Sequence, residues 1–288
     1  QSGTTLTLGT SGDTVVVPSG VSLAPGGGLT LTGALAVDGG TVKLDGNYPT
    51  GTDNVAMGDT ALDSVEAGGI NNVAIGDHAG TAITTGDCNV AVGKSALEAT
   101  TTASDNVAIG FRALCTNTTG YSNISIGSYS SDANTEGFEN VAIGVSSLGA
   151  NTTGDCNVGV GRNALRSNTT AGDNTAIGTN ALCSNTTGCI NVAVGEDAMK
   201  ANTTGEFNAA MGSGAMQTNT TGGENTGSGY NALALNTTGC KNSAFGKSSL
   251  ESNTTADCNT AVGYNALTAN TTGTENVAVG SGALDSNT

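Results

Sequence analysis

A five-residue pattern of apolar and polar positions recurs along the chain: Asn, an apolar residue or Thr, a small residue, usually Ile or Val, and Gly. Its Asn returns every seventeen residues from Asn72 to Asn276, and the first interval, from Asn54 to Asn72, is eighteen residues. Alternation of small and branched residues is typical of a short β-strand with one face of small side chains. The pattern therefore predicts a strand at one fixed place in each of fourteen repeats.

The rest of each repeat contains a second apolar anchor and a polar loop. Two variable residues follow the Gly, then an Ala-Leu pair such as Ala164-Leu165, and most repeats continue with Asn-Thr-Thr, usually followed by Gly, which is turn chemistry. Repetition at a fixed short period is typical of units that pack only on their neighbours. We therefore expect an all-β fold, a parallel β-solenoid or β-roll of 17-residue coils, each with two short strands and a polar loop.

The sequence divides into two segments. Residues 51–288 contain the fourteen-unit repeat array, and residues 1–50 lie outside its register. The first segment alternates β-branched with small or polar residues between Gly-rich turns, which predicts an N-terminal β-rich fibre or shaft segment.

Two invariant columns of the repeat are candidate structural positions. The Asn column predicts a ladder in which each amide bonds its neighbours above and below. The Gly column would let another backbone approach closely, which favours a parallel homotrimeric fibre; a tight turn after the strand is the alternative reason for Gly. Representative members of these two columns are Asn72, Asn89, Asn106, Asn157 and Asn174, and Gly76, Gly93, Gly110, Gly161 and Gly178.

Charge and composition exclude several classes of function. The chain of 288 residues has a formal charge of -16 with only 8 basic residues, so nucleic acid is not an expected partner. No apolar run approaches the roughly twenty residues that cross a bilayer, so no membrane insertion is expected. His78 is the only histidine and no catalytic or phosphate-binding motif occurs, so we expect neither an enzyme nor a cofactor.

An acidic column precedes the repeat Asn and is a candidate Ca²⁺ site. Stacked coils would bring carboxylates within about 5 Å, where a hard cation would relieve their repulsion. The alternative is a solvated edge whose charge keeps fibres apart. The candidate ligands are Asp87, Asp105, Asp155 and Asp173.

Seven cysteines recur at related spacings. Cys88 and Cys115 are 27 residues apart, as are Cys156 and Cys183, while Cys240 and Cys258 are one coil plus one residue apart. Disulfides between adjacent coils or chains would explain this recurrence, with unpaired buried thiols as the alternative. Cys189 is left over and could instead close a loop with Cys183.

Exposed positions of the repeat include possible contact and modification sites. Phe111, Tyr129, Tyr230 and Tyr264 follow the repeat Gly and could contact a carbohydrate or protein surface, although an unconstrained surface would look the same. The Asn-Thr-Thr segments form glycosylation sequons, or equally loops capped by Asn and Thr. Their threonines also suggest an ice-binding array, provided that this segment is a flat strand.

The repeat resembles two kinds of known fibre. "NVAIG" resembles the YadA-like head repeats of trimeric autotransporter adhesins, and "NTAIGTNALCSNTTG" is similar to repeats of tail-fibre proteins from marine bacteriophages, cyanophages among them. The seventeen-residue period is longer than that of the adhesin head, so the Asn-Thr-Thr-Gly loop has no clear counterpart there.

The resemblance implies an extracellular or virion-borne homotrimer. The expected function is structural: a tail fibre or surface appendage that supports attachment to a host glycan or protein, with self-association along or between rods. A bacterial trimeric adhesin or a self-assembling extracellular filament is the alternative, and an ice-binding solenoid is the third. No catalytic residue is implied.

Overall fold

The computed structural model describes residues 53–287, and the predicted shaft segment 1–50 lies outside them. The described residues fold as a parallel β-solenoid, which confirms the all-β class and the 17-residue coil. One three-residue strand per coil joins a single sheet in which every strand pairs with the next one along the chain. The strands are β1 Val55–Met57, β2 Val73–Ile75, β3 Val90–Val92, β4 Val107–Ile109, β5 Ile124–Ile126, β6 Val141–Ile143, β7 Val158–Val160, β8 Thr175–Ile177, β9 Val192–Val194, β10 Ala209–Met211, β11 Thr226–Ser228, β12 Ser243–Phe245, β13 Thr260–Val262 and β14 Val277–Val279.

The strands stack in perfect register, with like positions of the repeat opposite each other. Ala176 of β8 pairs with Ala193 of β9, and the longer first interval is absorbed before β2, because Val55 still pairs with Val73. Neighbouring strands of a sheet lie about 4.8 Å apart, so thirteen steps give a stack about 62 Å long.

Each coil contains one strand, and the prediction of two was wrong. The Ala-Leu anchor lies in a series of turns, because every second residue there has a left-handed backbone: φ is 57° at Ser95 and 52° at Leu97. Such φ values are incompatible with an extended strand. The apolar pair therefore enters the core from a turn.

The core consists of two Ala columns and one Leu column. In the eighth coil these are Ala176 at the centre of β8 and Ala181-Leu182 in the turn, all of them fully buried. The branched residues of the strands point outward, and Ile177 is 42% exposed. Most coils thus place one bulky side chain and two small ones in the core.

One coil interrupts this core with serines. Ser125 and Ser130 replace the two alanines and Ser131 replaces the Leu, and all three are buried. The apolar core consequently divides into two clusters, one on each side of this coil. The hydroxyls of Ser125 and Ser131 have no hydrogen-bond partner, so this serine coil is a weak layer of the stack.

The Gly column is explained within one chain. Gly178 has a φ of 135°, and a Cβ there would lie 2.5 Å from the carbonyl oxygen of Gly195 in the next coil. Both the backbone conformation and the close approach of the next coil require Gly. The same geometry recurs at Gly76, Gly93, Gly110 and Gly161. The turn after the strand, the alternative reason for Gly, therefore accounts for this column within one chain, and the homotrimer stays a prediction.

Candidate functional site

The Asn before each strand forms a continuous amide ladder inside the coil. Asn157 donates from Nδ2 to Oδ1 of Asn140 at 3.1 Å and to the carbonyl of Ala171 at 2.8 Å. Its own Oδ1 accepts the backbone N–H and the Nδ2 of Asn174. All donors and acceptors of this buried amide are thereby used. The same contacts link Asn72, Asn89 and Asn106, so the column is structural.

A second buried ladder runs through the Asn of the Asn-Thr-Thr loops. Asn151 donates from Nδ2 to Oδ1 of Asn134 at 2.8 Å and to the carbonyl of Gly154 at 2.9 Å. The ladder starts where Asn117 donates to Oγ1 of Thr100 at 3.3 Å. Sequence reasoning treated these residues as loop caps and missed their stacking, although the period equals that of the first ladder.

This second ladder closes the sequons in the folded chain. The sequon asparagines have almost no accessible surface and their Nδ2 atoms are engaged in the ladder, so a glycan cannot be attached to them without unfolding the coil. They are Asn117, Asn151, Asn168, Asn185, Asn202, Asn219, Asn236, Asn253 and Asn270.

The threonines of the same loops have two different environments. Thr169 donates its hydroxyl to the carbonyl of Thr186 in the next coil at 3.1 Å, while Thr170 is exposed. The segment is a bend rather than a strand, so only one Thr column faces solvent. A flat strand was the condition for an ice-binding array, and this geometry does not provide it.

Some carboxylates of the acidic column cap the turn before the strand of the preceding coil. Asp87 and Asp155 accept the backbone N–H groups of Ile70 and Phe138 in the preceding coil, each at 2.9 Å. Asp105 and Asp173 follow one coil later, and their backbone N–H groups donate to the carbonyls of Asp87 and Asp155. Within residues 53–287 no group of three or more His, Cys, Asp or Glu side chains could hold a metal ion. The carboxylates of Asp87 and Asp155 therefore act in the structure as caps between coils.

All seven cysteines lie in the described part of the chain and are free thiols, so the predicted disulfides are absent from the structure. Cys88 is exposed before the ladder Asn, whereas Cys115 is buried beyond the core Leu of the following coil, and Cys156 and Cys183 occupy the same two places. Their recurrent separation thus reflects two different positions of the coil.

Cys240 and Cys258 differ from the other two pairs, because both lie just before the ladder Asn of their coils and so occupy neighbouring positions in adjacent coils. The backbone N–H of Cys258 donates to the carbonyl of Cys240 at 3.0 Å.

Burial raises the pKa of the Cys115 and Cys183 thiols, which makes them poor nucleophiles.

The outward face of the sheet is an uncharged apolar stripe. The first and third residues of every strand point away from the core, and none of them is charged in any of the fourteen strands. The third position is almost entirely Ile, Val, Met or Phe, and most of these side chains are exposed. We call this surface the strand stripe. It is continuous along the stack in a chain with a net charge of -16.

No family model, no curated protein and no solved structure matches this chain. The likeness to adhesin heads and phage tail fibres thus stays a prediction, and function has to be argued from the surfaces themselves. The part of the chain that the structure describes has no helix long and apolar enough to cross a membrane.

Two aromatic pairs bracket the serine coil on its outside. Phe111 and Tyr129 meet edge to face with ring centroids 5.3 Å apart, joining this coil to the one before it. Tyr121 and Phe138 stack at 4.9 Å and join it to the one after. Aromatic contacts of these geometries stabilise neighbouring elements. Phe111 and Tyr129, predicted as contact residues, thereby have an intrachain role.

Tyr230 and Tyr264 each lie in the column of residues directly after the repeat Gly. Their contacts differ from those of Phe111 and Tyr129, because they involve a lysine. Lys247 lies between them in that column, with its Nζ 5.6 Å from the Tyr230 ring centroid and 5.8 Å from that of Tyr264. Both tyrosines are about half exposed, at 54% and 53%. We call these three residues the Tyr-Lys-Tyr column.

An ion pair occupies the same column near the other end of the stack. Lys94 donates to Asp77 at 2.8 Å, and His78 lies 2.6 Å from the other oxygen of that carboxylate. The hydrogen bond from Lys94, with that from His78, lowers the pKa of Asp77, and the pKa of Lys94 is raised in return. The groups are exposed, so the pair adds little to stability.

Proposed function

We propose that this protein is the structural rod of an extracellular fibre, a virion tail fibre or a similar surface appendage, built from three parallel copies and supporting attachment to a host surface. The observation that carries this proposal is the strand stripe. An uncharged and mostly apolar surface that runs the length of the stack is unlike the surface of a monomer that acts alone.

The period of the stripe argues that its partner is another copy of the same chain. Outward side chains repeat at one strand spacing, about 4.8 Å, over the whole stack. A second copy in parallel has the same spacing, so contacts made by one coil are made by all of them. A globular partner could match only a few coils.

The narrowness of the stripe favours three copies around one axis. The stripe is one short strand wide, and in a threefold arrangement each stripe can contact both neighbours. Acidic residues in the turns then remain at the outer edges in solvent, where their charge limits lateral aggregation. The strand stripe favours a trimer independently of the Gly column.

Sedimentation equilibrium of the whole chain tests the assembly. We expect three times the chain mass of 27.9 kDa, and monomers for a chain carrying Ile109→Arg and Ile143→Arg in the stripe. Leu235→Arg, at an exposed apolar residue outside the strands, is the matched control and should remain trimeric. A monomeric wild-type chain, or a trimer that tolerates both stripe substitutions, would refute the proposed interface.

A further inference from the structure

The strand stripe changes its chemistry in the three coils that contain β11 to β13. Thr226, Ser243 and Thr260 replace Val or Ile at the first strand position, and Ser228 replaces the third-position residue of β11. The Tyr-Lys-Tyr column lies in these same coils, across the repeat Gly. Two aromatic rings and one cation therefore come together in the same three coils in which the strand stripe becomes more polar.

Lys247 is distinguished from the paired lysines of the chain. Lys94 and Lys200 are each paired with an aspartate, at 2.8 Å and 3.4 Å. Among residues 53–287, Lys247 forms no ion pair and instead lies beside two tyrosine rings. A cation near aromatic faces keeps its charge available to an anion from solvent.

We infer that the Tyr-Lys-Tyr column binds an anionic saccharide. The rings of Tyr230 and Tyr264 offer flat apolar surfaces for sugar rings, with phenolic hydroxyls for hydrogen bonds. Lys247 pairs with a carboxylate or sulfate on the saccharide.

The spacing suits a short oligosaccharide rather than a single sugar. Tyr230 and Tyr264 are two coils apart, about 9.6 Å at the usual strand spacing, with Lys247 between them. This inference deepens the attachment role proposed above and rests on it. In a trimer the site is present three times, which multiplies weak binding.

Calorimetric titration of the whole chain tests the inference. The probes are a galacturonate tetrasaccharide, a sulfated galactan tetrasaccharide without carboxylates, and neutral maltotetraose. We expect binding of one or both anionic probes, weakened by salt, and none of the neutral probe. The two anionic arms distinguish carboxylate from sulfate recognition.

Variants at the column separate a built site from general stickiness. Lys247→Glu and Tyr264→Ala should weaken binding at least about tenfold, whereas Tyr264→Phe should retain most of it. Phe207→Ala is the matched control, because Phe207 is equally exposed, at 55%, but lies in another column. Its affinity should be unchanged.

The results distinguish this inference from the proposed assembly. No binding by a chain that sediments as a trimer, or equal binding of neutral and anionic probes, would overturn the saccharide site alone. Binding that Lys247→Glu leaves intact would overturn it as well. Specific binding by a chain that sediments as a monomer would leave the site standing and remove the trimeric rod.

Discussion

Asn157 and Asn140 hold adjacent coils together through one side-chain oxygen. Oδ1 of Asn140 accepts the backbone N–H of Asn157 at 2.9 Å and its Nδ2 at 3.1 Å. A buried acceptor that is used twice makes the amide necessary both for the turn and for the stacking. The relationship recurs along the stack, which explains why no other residue occupies this column.

Removing one amide from this ladder should weaken the whole stack. Asn157→Ala leaves the backbone N–H of Asn174 and the carbonyl of Ala171 without their side-chain partners in a buried environment. We expect a loss of about 2 to 4 kcal/mol of unfolding free energy. Thermal and urea unfolding followed by circular dichroism would measure it.

Gln217→Ala is the control for this substitution. Gln217 also has a side-chain amide, but it is only partly buried and forms one bond, to Asp197 at 3.3 Å. Its loss should cost less than about 1 kcal/mol. Equal effects of the two substitutions would mean that burial of the ladder is not the source of its stability.

The Gly after each strand should be irreplaceable even by Ala. Gly178→Ala combines a φ of 135° with a Cβ 2.5 Å from the Gly195 carbonyl oxygen, so we expect a loss of about 3 kcal/mol or more. Gly149→Ala is the comparison, since its Cβ would meet nothing closer than 3.4 Å and its φ is not left-handed. It should change the melting temperature little. A tolerated Gly178→Ala would contradict the stated cause of the Gly column.

Much of the stack could be predicted from the repeat, but its inside and outside could not. The position of the strand, the parallel pairing and the coil length follow directly from the recurrence of Asn and Gly. The alternation of Ala176 with Thr175 and Ile177 is compatible with either face of the strand pointing into the core. The choice depends on the width of the coil, which the left-handed turns around Leu182 determine and no local pattern reveals.

The candidate surfaces were predicted less completely. The change in the stripe at Thr226 and Ser243 is visible in the sequence only after its outward direction is known. Tyr230 and Tyr264 were found as variable surface residues, but the role of Lys247 required the stacking of consecutive coils. The second Asn ladder was not predicted, because the Thr-Thr-Gly residues that follow most of its asparagines are typical of a turn.

Thiol reactivity should separate the cysteine columns. Cys115 is buried and burial raises its pKa, so its thiolate is disfavoured and reagents have little access to it, whereas Cys258 is exposed. We expect iodoacetamide to label Cys258 quickly and Cys115 slowly, as read by peptide mass spectrometry. In strong denaturant the two rates should become similar. Fast labelling of native Cys115 would contradict its placement in the coil.

Oxidation should join only one of the three candidate cysteine pairs within a chain. Cys240 and Cys258 lie in adjacent coils with a backbone contact of 3.0 Å, whereas Cys88 and Cys115 occupy separate positions of the coil. Oxidised glutathione would accept the two electrons and form the Cys240 to Cys258 bond, seen as a cross-linked peptide pair. The Cys258→Ser chain should lack it. A cross-link between Cys88 and Cys115 within the native chain would contradict the coil positions.

The serine coil should be the point at which a consensus residue stabilises the rod most. Ser131 has a φ of 46°, close to the 51° of Leu148 at the same place in the next coil, so a Leu there adds no new backbone strain. Ser131→Leu removes an unpaired buried hydroxyl and joins the two apolar clusters. We expect a gain of about 2 kcal/mol, measured by urea unfolding. Ser131→Ala, which removes the hydroxyl without filling the space, should give a smaller gain. A destabilising Ser131→Leu would mean that the layer has no room for the side chain, and would contradict the description of the serine coil as an underfilled layer.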